Sequence, residues 1–206
     1  QAILSGRLSP RSGGERRPIC VLFADLRDFT TLSEHLPPEE VTALLNRHFE
    51  HMAQAIHRHG GTLDKFIGDG IMAFFGAPQD LPQPCAQALA AAQAMHQALA
   101  TFNAEQQRLG GPCLRMGIGL HWGESYVGYV GARSRHAYSA IGDTVNTAAR
   151  LEGLCKTSGW PVVLSEAMLQ TLEPAWRQRV HPLGEQALKG RSPLIAHGWD
   201  PGQDTP

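Results

Sequence analysis

The sequence has little net charge and no long apolar run. Its 206 residues include 18 Lys and Arg against 19 Asp and Glu, which gives a formal net charge of -1 at pH 7. A chain without a basic excess offers no electrostatic reason to bind nucleic acid or an anionic membrane. No apolar run reaches the roughly 18 residues that a membrane-spanning helix needs, so no span is predicted.

Cysteine is scarce and shows no metal or redox spacing. The four cysteines, Cys20, Cys85, Cys113 and Cys155, form no Cys-x-x-Cys pair. This pattern favours reduced thiols in a cytoplasmic domain. Because the sequence does not begin with Met, we interpret it as a fragment. We expect a regulatory or anchoring segment on its N-terminal side, one that could hold the full-length protein at the inner membrane.

Two common nucleotide-binding signatures are also missing. No GxxxxGK[ST] occurs, and the glycines Gly117, Gly119 and Gly123 have the wrong spacing for a dinucleotide fingerprint. No internal repeat or low-complexity tract is present. The length predicts one domain at 18–200, with a linker or disordered arm at 1–17 and a tail at 201–206.

Apolar periodicity predicts an α+β fold with an antiparallel-rich sheet and flanking helices. The predicted order is strand, helices, hairpin, helix, hairpin, helix, strand, helix and a final ribbon. The first strand is 19–26 and the first hairpin is 63–75. The second hairpin, 113–130, is expected to turn at Gly123-Glu124, where a glycine permits a reversal of the chain.

Two aspartates at predicted strand ends suggest a divalent-cation site. Asp25 ends an apolar run, and Asp69 lies in a Gly-Asp-Gly turn between two short strands. Strand ends at one edge of a sheet could bring both carboxylates to one or two Mg²⁺ ions and a phosphate substrate. Alternatively, Asp69 is only a turn residue and Asp25 only a strand terminator.

A predicted helix at 144–154, with Asp143 as its N-cap, carries a second polar pair. Asn146 and Arg150 stand four residues apart and therefore on one helix face. An amide and a guanidinium so placed can hold a ribose oxygen and a phosphate, although an exposed polar face is the alternative. His48 and His51 are one turn apart, but no third ligand completes a metal set, so they are interpreted as core or surface histidines.

Four segments taken together resemble the class III nucleotidyl cyclase catalytic domain. They are FADLRDFT (23–30), KFIGDGIMAFFG (65–76), GIGLHWGESYVGYVG (117–131) and YSAIGDTVNTAARLE (138–152), with LKG (188–190) as a weaker fifth. The resemblance implies a ferredoxin-like core and a head-to-tail pair of domains with sites built from both subunits. It also implies conversion of ATP or GTP to the 3′,5′-cyclic monophosphate and pyrophosphate.

The resemblance assigns roles to residues of one subunit that hold metal and phosphate. Asp25, Asp69 and the backbone carbonyl of Leu26 match ligands of two Mg²⁺ or Mn²⁺ ions per site. Backbone N–H groups around Phe29 and Thr30 would face the phosphates. Asp28, where relatives often have glycine, is interpreted as an outward-pointing turn residue.

The resemblance also assigns residues that would bind the base, the ribose and the triphosphate. Lys65 and Ser139 match the purine-reading positions, and Asn146 and Arg150 match the ribose-orienting and transition-state positions; these four would come from the other subunit. Lys189 resembles a triphosphate-binding lysine. Since the chain holds both halves of the set, a homodimer with two competent sites is expected.

Base choice depends on Lys65 and Ser139. Lysine can only donate, which suits N1 of adenine, and guanylyl-specific relatives carry Glu there. Ser139 departs from the common Asp and is closest to a Thr-type subgroup, some of whose members respond to bicarbonate. We expect adenylyl over guanylyl activity by about tenfold or more. The alternatives are a guanylyl or promiscuous purine cyclase and an inactive nucleotide-binding regulatory module. A diguanylate cyclase is disfavoured because the chain lacks a GGDEF-type hairpin.

Overall fold

The computed structural model describes residues 13–132, 135–187 and 193–203. Its strands are β1 Glu15–Leu26, β2 Thr62–Ile67, β3 Gly70–Phe75, β4 Met116–Ala132, β5 Arg135–Ile141, β6 Val162–Ser165, β7 His181–Gln186 and β8 Leu194–Trp199. Its α-helices are α1 Phe29–Ser33, α2 Pro38–Arg58, α3 Pro84–Arg108, α4 Asp143–Ser158 and α5 Glu166–Leu169, and a 3₁₀ turn covers Pro174–Gln178. None of the described helices is long and apolar enough to cross a bilayer.

The strands form one mixed sheet. Their order is β2-β3-β1-β4-β6-β8-β7, and β5 pairs with β4. Every described pairing is antiparallel except that of β4 with β6. The predicted α+β class with an antiparallel-rich sheet and flanking helices is therefore confirmed.

Strand β4 corrects the predicted second hairpin. It runs unbroken for 17 residues, with Gly123 opposite Ile19 and Glu124 opposite Pro18 on β1. Gly123 is instead a point of close approach, because a Cβ built there would lie 2.8 Å from Thr144 Oγ1.

Strand β1 corrects the predicted N-terminal boundary. It begins at Glu15, opposite Val127, so residues 15–17 belong to the sheet and not to a linker. The early start follows from the length of β4, whose distal half supplies backbone partners for these polar residues.

Strand β1 has an apolar side chain on both faces, and helices cover both. Leu22 packs in a core with residues of α2 and α3, whereas Val21 packs in a second core with Ala148 of α4. Helix α4 rests directly on β4, since a Cβ at Gly119 would lie 2.1 Å from the backbone nitrogen of Glu152. Gly117 and Gly119 are two of the five glycines of this strand, and both serve close packing, since a Cβ at Gly117 would overlap the Arg27 guanidinium.

Two further predictions concern helix residues. Helix α4 begins at Asp143, and Gly142 takes the N-cap position, so Asp143 is not the cap. His48 is a core histidine, as interpreted: it is 1% exposed and packs edge-on against Phe102. Burial, with a smaller contribution from His51, lowers the pKa of His48 to about 4.

Candidate active site

The turn between β2 and β3 brings Asp69 beside Asp25. Gly68 and Asp69 form a two-residue connection, with Gly68 in the left-handed region at φ 62° and Ile67 paired to Gly70. A Cβ built at Gly70 would lie 3.1 Å from Asp25 Oδ1, so the turn packs on that carboxylate. Burial first, then the negative charges of Asp69 and Glu152, raise the pKa of Asp25 to about 6.

The chemistry of this pair fits a divalent cation. Burial is the largest cause of the raised pKa of Asp25, and the neighbouring carboxylates add a repulsion that a bound cation would relieve. Among the described residues, no three His, Cys, Asp or Glu side chains form a metal cluster. Mg²⁺ commonly binds one or two carboxylates and takes its other ligands from phosphate oxygens and water. Asp25 and Asp69 could supply the carboxylates, and the backbone carbonyl of Leu26, next to Asp25, could supply one further oxygen.

Arginine side chains flank this edge of the sheet. Arg27 donates to Glu152 Oε1 at 2.6 Å, and both side chains are mostly buried. Arg115 pairs with Asp28 at 2.5 Å, and the Asp28 side chain is 57% exposed, as the interpretation of an outward turn residue predicted. Asp28 has φ 58°, in the left-handed region that glycine adopts without strain.

The two residues of helix α1 that were predicted to face the phosphates differ in burial. The side chain of Phe29 is buried in the core, so only its main chain remains for a substrate. Thr30 is exposed. The first N–H groups of a helix have no partner within the helix, which leaves this terminus able to bind an anion.

Lys65 and Ser139 meet across β2 and β5. Lys65 Nζ donates to Ser139 Oγ at 3.1 Å. Ser139 Oγ donates to Asp64 Oδ2 at 2.6 Å, and Lys65 Nζ lies 3.3 Å from Asp64 Oδ1. Asp64 was missed at the sequence level. The signal was an adjacent Asp-Lys pair that breaks the alternation expected of a strand.

Helix α4 carries Asn146 and Arg150. Asn146 is exposed and Arg150 is partly buried. The Nη1 nitrogen of Arg150 is buried and has no hydrogen-bond partner in the described structure. A buried guanidinium nitrogen without an acceptor is costly, and a bound anion would satisfy it.

The predicted residues fall into separate groups within one chain. In the described ranges, no hydrogen bond or ion pair joins Asp25 or Asp69 to Lys65, Ser139 or Arg150. Lys189 lies outside the residues that the structure describes.

Solved nucleotidyl cyclase domains share this architecture. The guanylyl cyclase Cya2 is 38% identical with a TM-score of 0.81, over 91% of this chain and 93% of that one. The adenylyl cyclase CyaB from P. aeruginosa is 30% identical with a TM-score of 0.77, over 91% and 95%. The fold and site therefore define a nucleotidyl cyclase catalytic domain of the class III type.

Residues 14–199 match the family description Adenylate and Guanylate cyclase catalytic domain, and the chain belongs to that family. Adenylate cyclase 1 of Rhizobium meliloti is 38% identical over 95% of the chain, and Adenylate cyclase of Anabaena cylindrica is 41% identical over 76%. The chain spans only 29% and 31% of the length of these two relatives.

Proposed function

We propose that this chain is an adenylyl cyclase domain that converts ATP to 3′,5′-cyclic AMP and pyrophosphate at sites shared between two copies. The observation that carries the choice of ATP is the Lys65–Ser139 pair, with Nζ and Oγ 3.1 Å apart. Lysine is a donor only and complements N1 of adenine, while the serine oxygen can accept from the 6-amino group. The two curated relatives named adenylate cyclase support the same choice.

The shared site is supported by the separation of the two groups and by an exposed apolar surface. Large apolar side chains are between 38% and 52% exposed on β2, β4 and β5, the strands that carry or adjoin Lys65 and Ser139: Phe66, Ile67, Tyr126, Val130 and Ile141. Exposed apolar patches of this kind mark interaction surfaces. A second copy here would bring its own Asp25 and Asp69 toward Lys65, Asn146 and Arg150.

The reaction is an in-line displacement at the α-phosphorus. The ribose 3′-hydroxyl gives its proton to water, and its oxygen bonds to that phosphorus. The bond between the α-phosphorus and the oxygen that bridges it to the β-phosphorus breaks, and pyrophosphate leaves with that oxygen. Bound at Asp25, Asp69 and the Leu26 carbonyl, two Mg²⁺ or Mn²⁺ ions would activate the hydroxyl and neutralise the triphosphate. Asn146 would orient the ribose.

Arg150 would act on the charge that develops in the reaction. Negative charge grows on the transferring phosphoryl oxygens, and the buried Nη1 without a partner is a donor available to them. Lys189 and the backbone of 28–30 would hold the triphosphate, which fixes the α-phosphorus for attack.

A guanylyl cyclase is the second candidate, because the solved guanylyl cyclase domain Cya2 has the same sequence identity to this chain, 38%, as the Rhizobium relative.

Product analysis distinguishes the adenylyl from the guanylyl cyclase. The chain is incubated with ATP or GTP and Mg²⁺ or Mn²⁺, and the products are separated by chromatography, with Asp69→Ala as the control. Cyclic AMP that is lost in the control supports the proposal. Equal cyclic GMP formation contradicts the choice of ATP, and no cyclic product from folded protein contradicts the enzyme itself.

A further inference from the structure

Strand β2 contains an irregularity at Asp64. The register to β3 passes from Leu63 opposite Ala73 to Lys65 opposite Met72, so Asp64 has no partner of its own. An extra residue of this kind is a β-bulge, which redirects side chains and is frequent beside active sites. Neighbouring side chains of a regular strand point to opposite faces, yet Asp64 and Lys65 both contact Ser139.

The bulge buries Asp64 completely beneath the serine. Its side chain is 0% exposed, whereas that of Lys65 is 48% exposed. Oδ2 accepts from Ser139 Oγ at 2.6 Å, and the Ala140 N–H adds a longer contact at 3.4 Å. Ser139 is 4% exposed, so a substrate would meet Lys65 and the small accessible part of Ser139, and not the aspartate itself.

This contact decides what Ser139 can offer to a purine. A hydroxyl has one proton and two lone pairs, and the proton of Ser139 is committed to a carboxylate, which only accepts. Lys65 donates to one lone pair. One lone pair is left, and Ser139 is thereby restricted to accepting.

We propose that Asp64 is a positioning residue that fixes Ser139 as an acceptor and so sets the preference for ATP over GTP. The inference rests on the proposed cyclase function and deepens it. Adenine presents a 6-amino donor, which the remaining lone pair accepts. Guanine presents O6, an acceptor, and faces an oxygen with no proton to give. Without this restriction a serine hydroxyl could rotate and serve either base.

The Asp64→Asn variant tests this with little change of shape. The ammonium of Lys65, 3.3 Å from Oδ1, attracts the amide oxygen, so the amide NH₂ faces Ser139 and donates to it. The serine proton is then free to turn to the base. We expect the ratio of kcat/KM for ATP to kcat/KM for GTP to fall by roughly tenfold or more. Asp80→Asn, which changes an exposed aspartate, is the matched control and leaves the ratio unchanged.

A merely structural aspartate predicts a different result. If Asp64 only stabilises the sheet, Asp64→Asn lowers kcat/KM for both nucleotides by the same factor, and an unchanged ratio overturns the proposal. The ratio is also measured in a Ser139→Ala background, where the account predicts no further change on adding Asp64→Asn. A further change there would mean that Asp64 does not act through Ser139 and would overturn the proposal as well.

A binding measurement tests the role of Asp64 even if the chain does not turn over nucleotide. The 3′-deoxy analogues of ATP and GTP lack the attacking hydroxyl, and their relative affinities can be measured by calorimetry without turnover. If the wild-type chain makes no cyclic product, a binding preference for the ATP analogue that Asp64→Asn weakens still supports the role of Asp64, and an unaltered preference overturns it. If Asp64→Asn fails to fold, Ser139→Ala must weaken the preference to the part that Lys65 supplies, and an unchanged preference overturns the proposal.

Discussion

The guanidinium of Arg27 donates through Nη2 to both the carboxylate and the backbone carbonyl of Glu152, at 2.6 and 3.1 Å. This contact joins the end of β1, which carries Asp25, to helix α4, which carries Arg150. The Arg27 and Glu152 side chains are 17% and 13% exposed, so water screens the pair only weakly. The contact fixes helix α4 relative to the strand end.

Weakening this pair should lower stability. Glu152→Gln keeps an acceptor for Arg27 but removes the charge. Although burial raises the pKa of Glu152, the substitution leaves the mostly buried Arg27 without its counter-charge, and we expect a loss of about 1–3 kcal/mol in the free energy of unfolding, measured with urea. Glu50→Gln is the control, because Glu50 is exposed and, among the described residues, its side chain accepts a hydrogen bond from Gln54 alone. A change within about 0.5 kcal/mol is expected there. Equal effects of the two substitutions would show that the Arg27–Glu152 contact does not stabilise the fold.

Two glycines offer a matched test of how α4 packs on β4. Gly119→Ala would place a methyl group 2.1 Å from Glu152 N and 2.4 Å from Ala148 O, so α4 must shift. We expect a loss of about 1–3 kcal/mol together with reduced cyclase activity. Gly153 lies on α4, where an added methyl group would meet nothing within 4 Å, and Gly153→Ala should instead stabilise by about 0.5–1 kcal/mol. The free energy of unfolding of both variants is measured with urea. An unchanged free energy of unfolding for Gly119→Ala would contradict this packing of α4 on β4.

The buried His48 predicts a specific loss of stability in acid. Its pKa is lowered from 6.5 to about 4, so between these values the unfolded chain binds a proton that the folded chain does not. Stability attributable to this residue is complete above pH 6.5 and falls as the pH drops toward 4, by about 2 kcal/mol at pH 5.

The test compares His48→Leu with wild type at pH 7.5 and pH 5 by urea unfolding. The variant should lose less stability between the two pH values, while His57→Leu, at an exposed histidine, should behave as wild type. Some acid sensitivity remains in His48→Leu, because burial also lowers the pKa of His96 to about 4. An identical pH dependence for wild type and His48→Leu would contradict the prediction.

Local signals were enough to predict part of this molecule. The Gly68-Asp69-Gly70 turn and the apolar run that ends at Asp25 are short-range patterns, and the structure places them side by side. Gly123 led to the wrong prediction of a turn, because glycine is common both in turns and where two chain segments approach closely. The contact with Thr144, which is distant from Gly123 in sequence, shows that Gly123 serves a close approach. The adjacent Asp64-Lys65 pair breaks the alternation of β2, but the bulge itself depends on the register against β3, which this local pattern does not fix.

Arg150 is expected to act on the transition state. Arg150→Ala should lower kcat by roughly 10²–10³, by analogy with the loss of one oxyanion donor, and change the KM for ATP much less. Arg58→Ala, at an exposed arginine of α2, is the control and should retain wild-type kinetics. A folded Arg150→Ala protein with the kcat of wild type would show that Arg150 does not stabilise the transition state.

The most direct test of the shared active site is complementation between two inactive variants. Asp69→Ala lacks a metal ligand, Arg150→Ala lacks the transition-state donor, and each alone should form almost no cyclic AMP from ATP. Mixed in equal amounts and allowed to exchange, they should recover about one quarter of wild-type activity, because half of the dimers are mixed and each has one intact site. No recovery, with mixed dimers demonstrated by differently tagged chains, would contradict a site built from two copies.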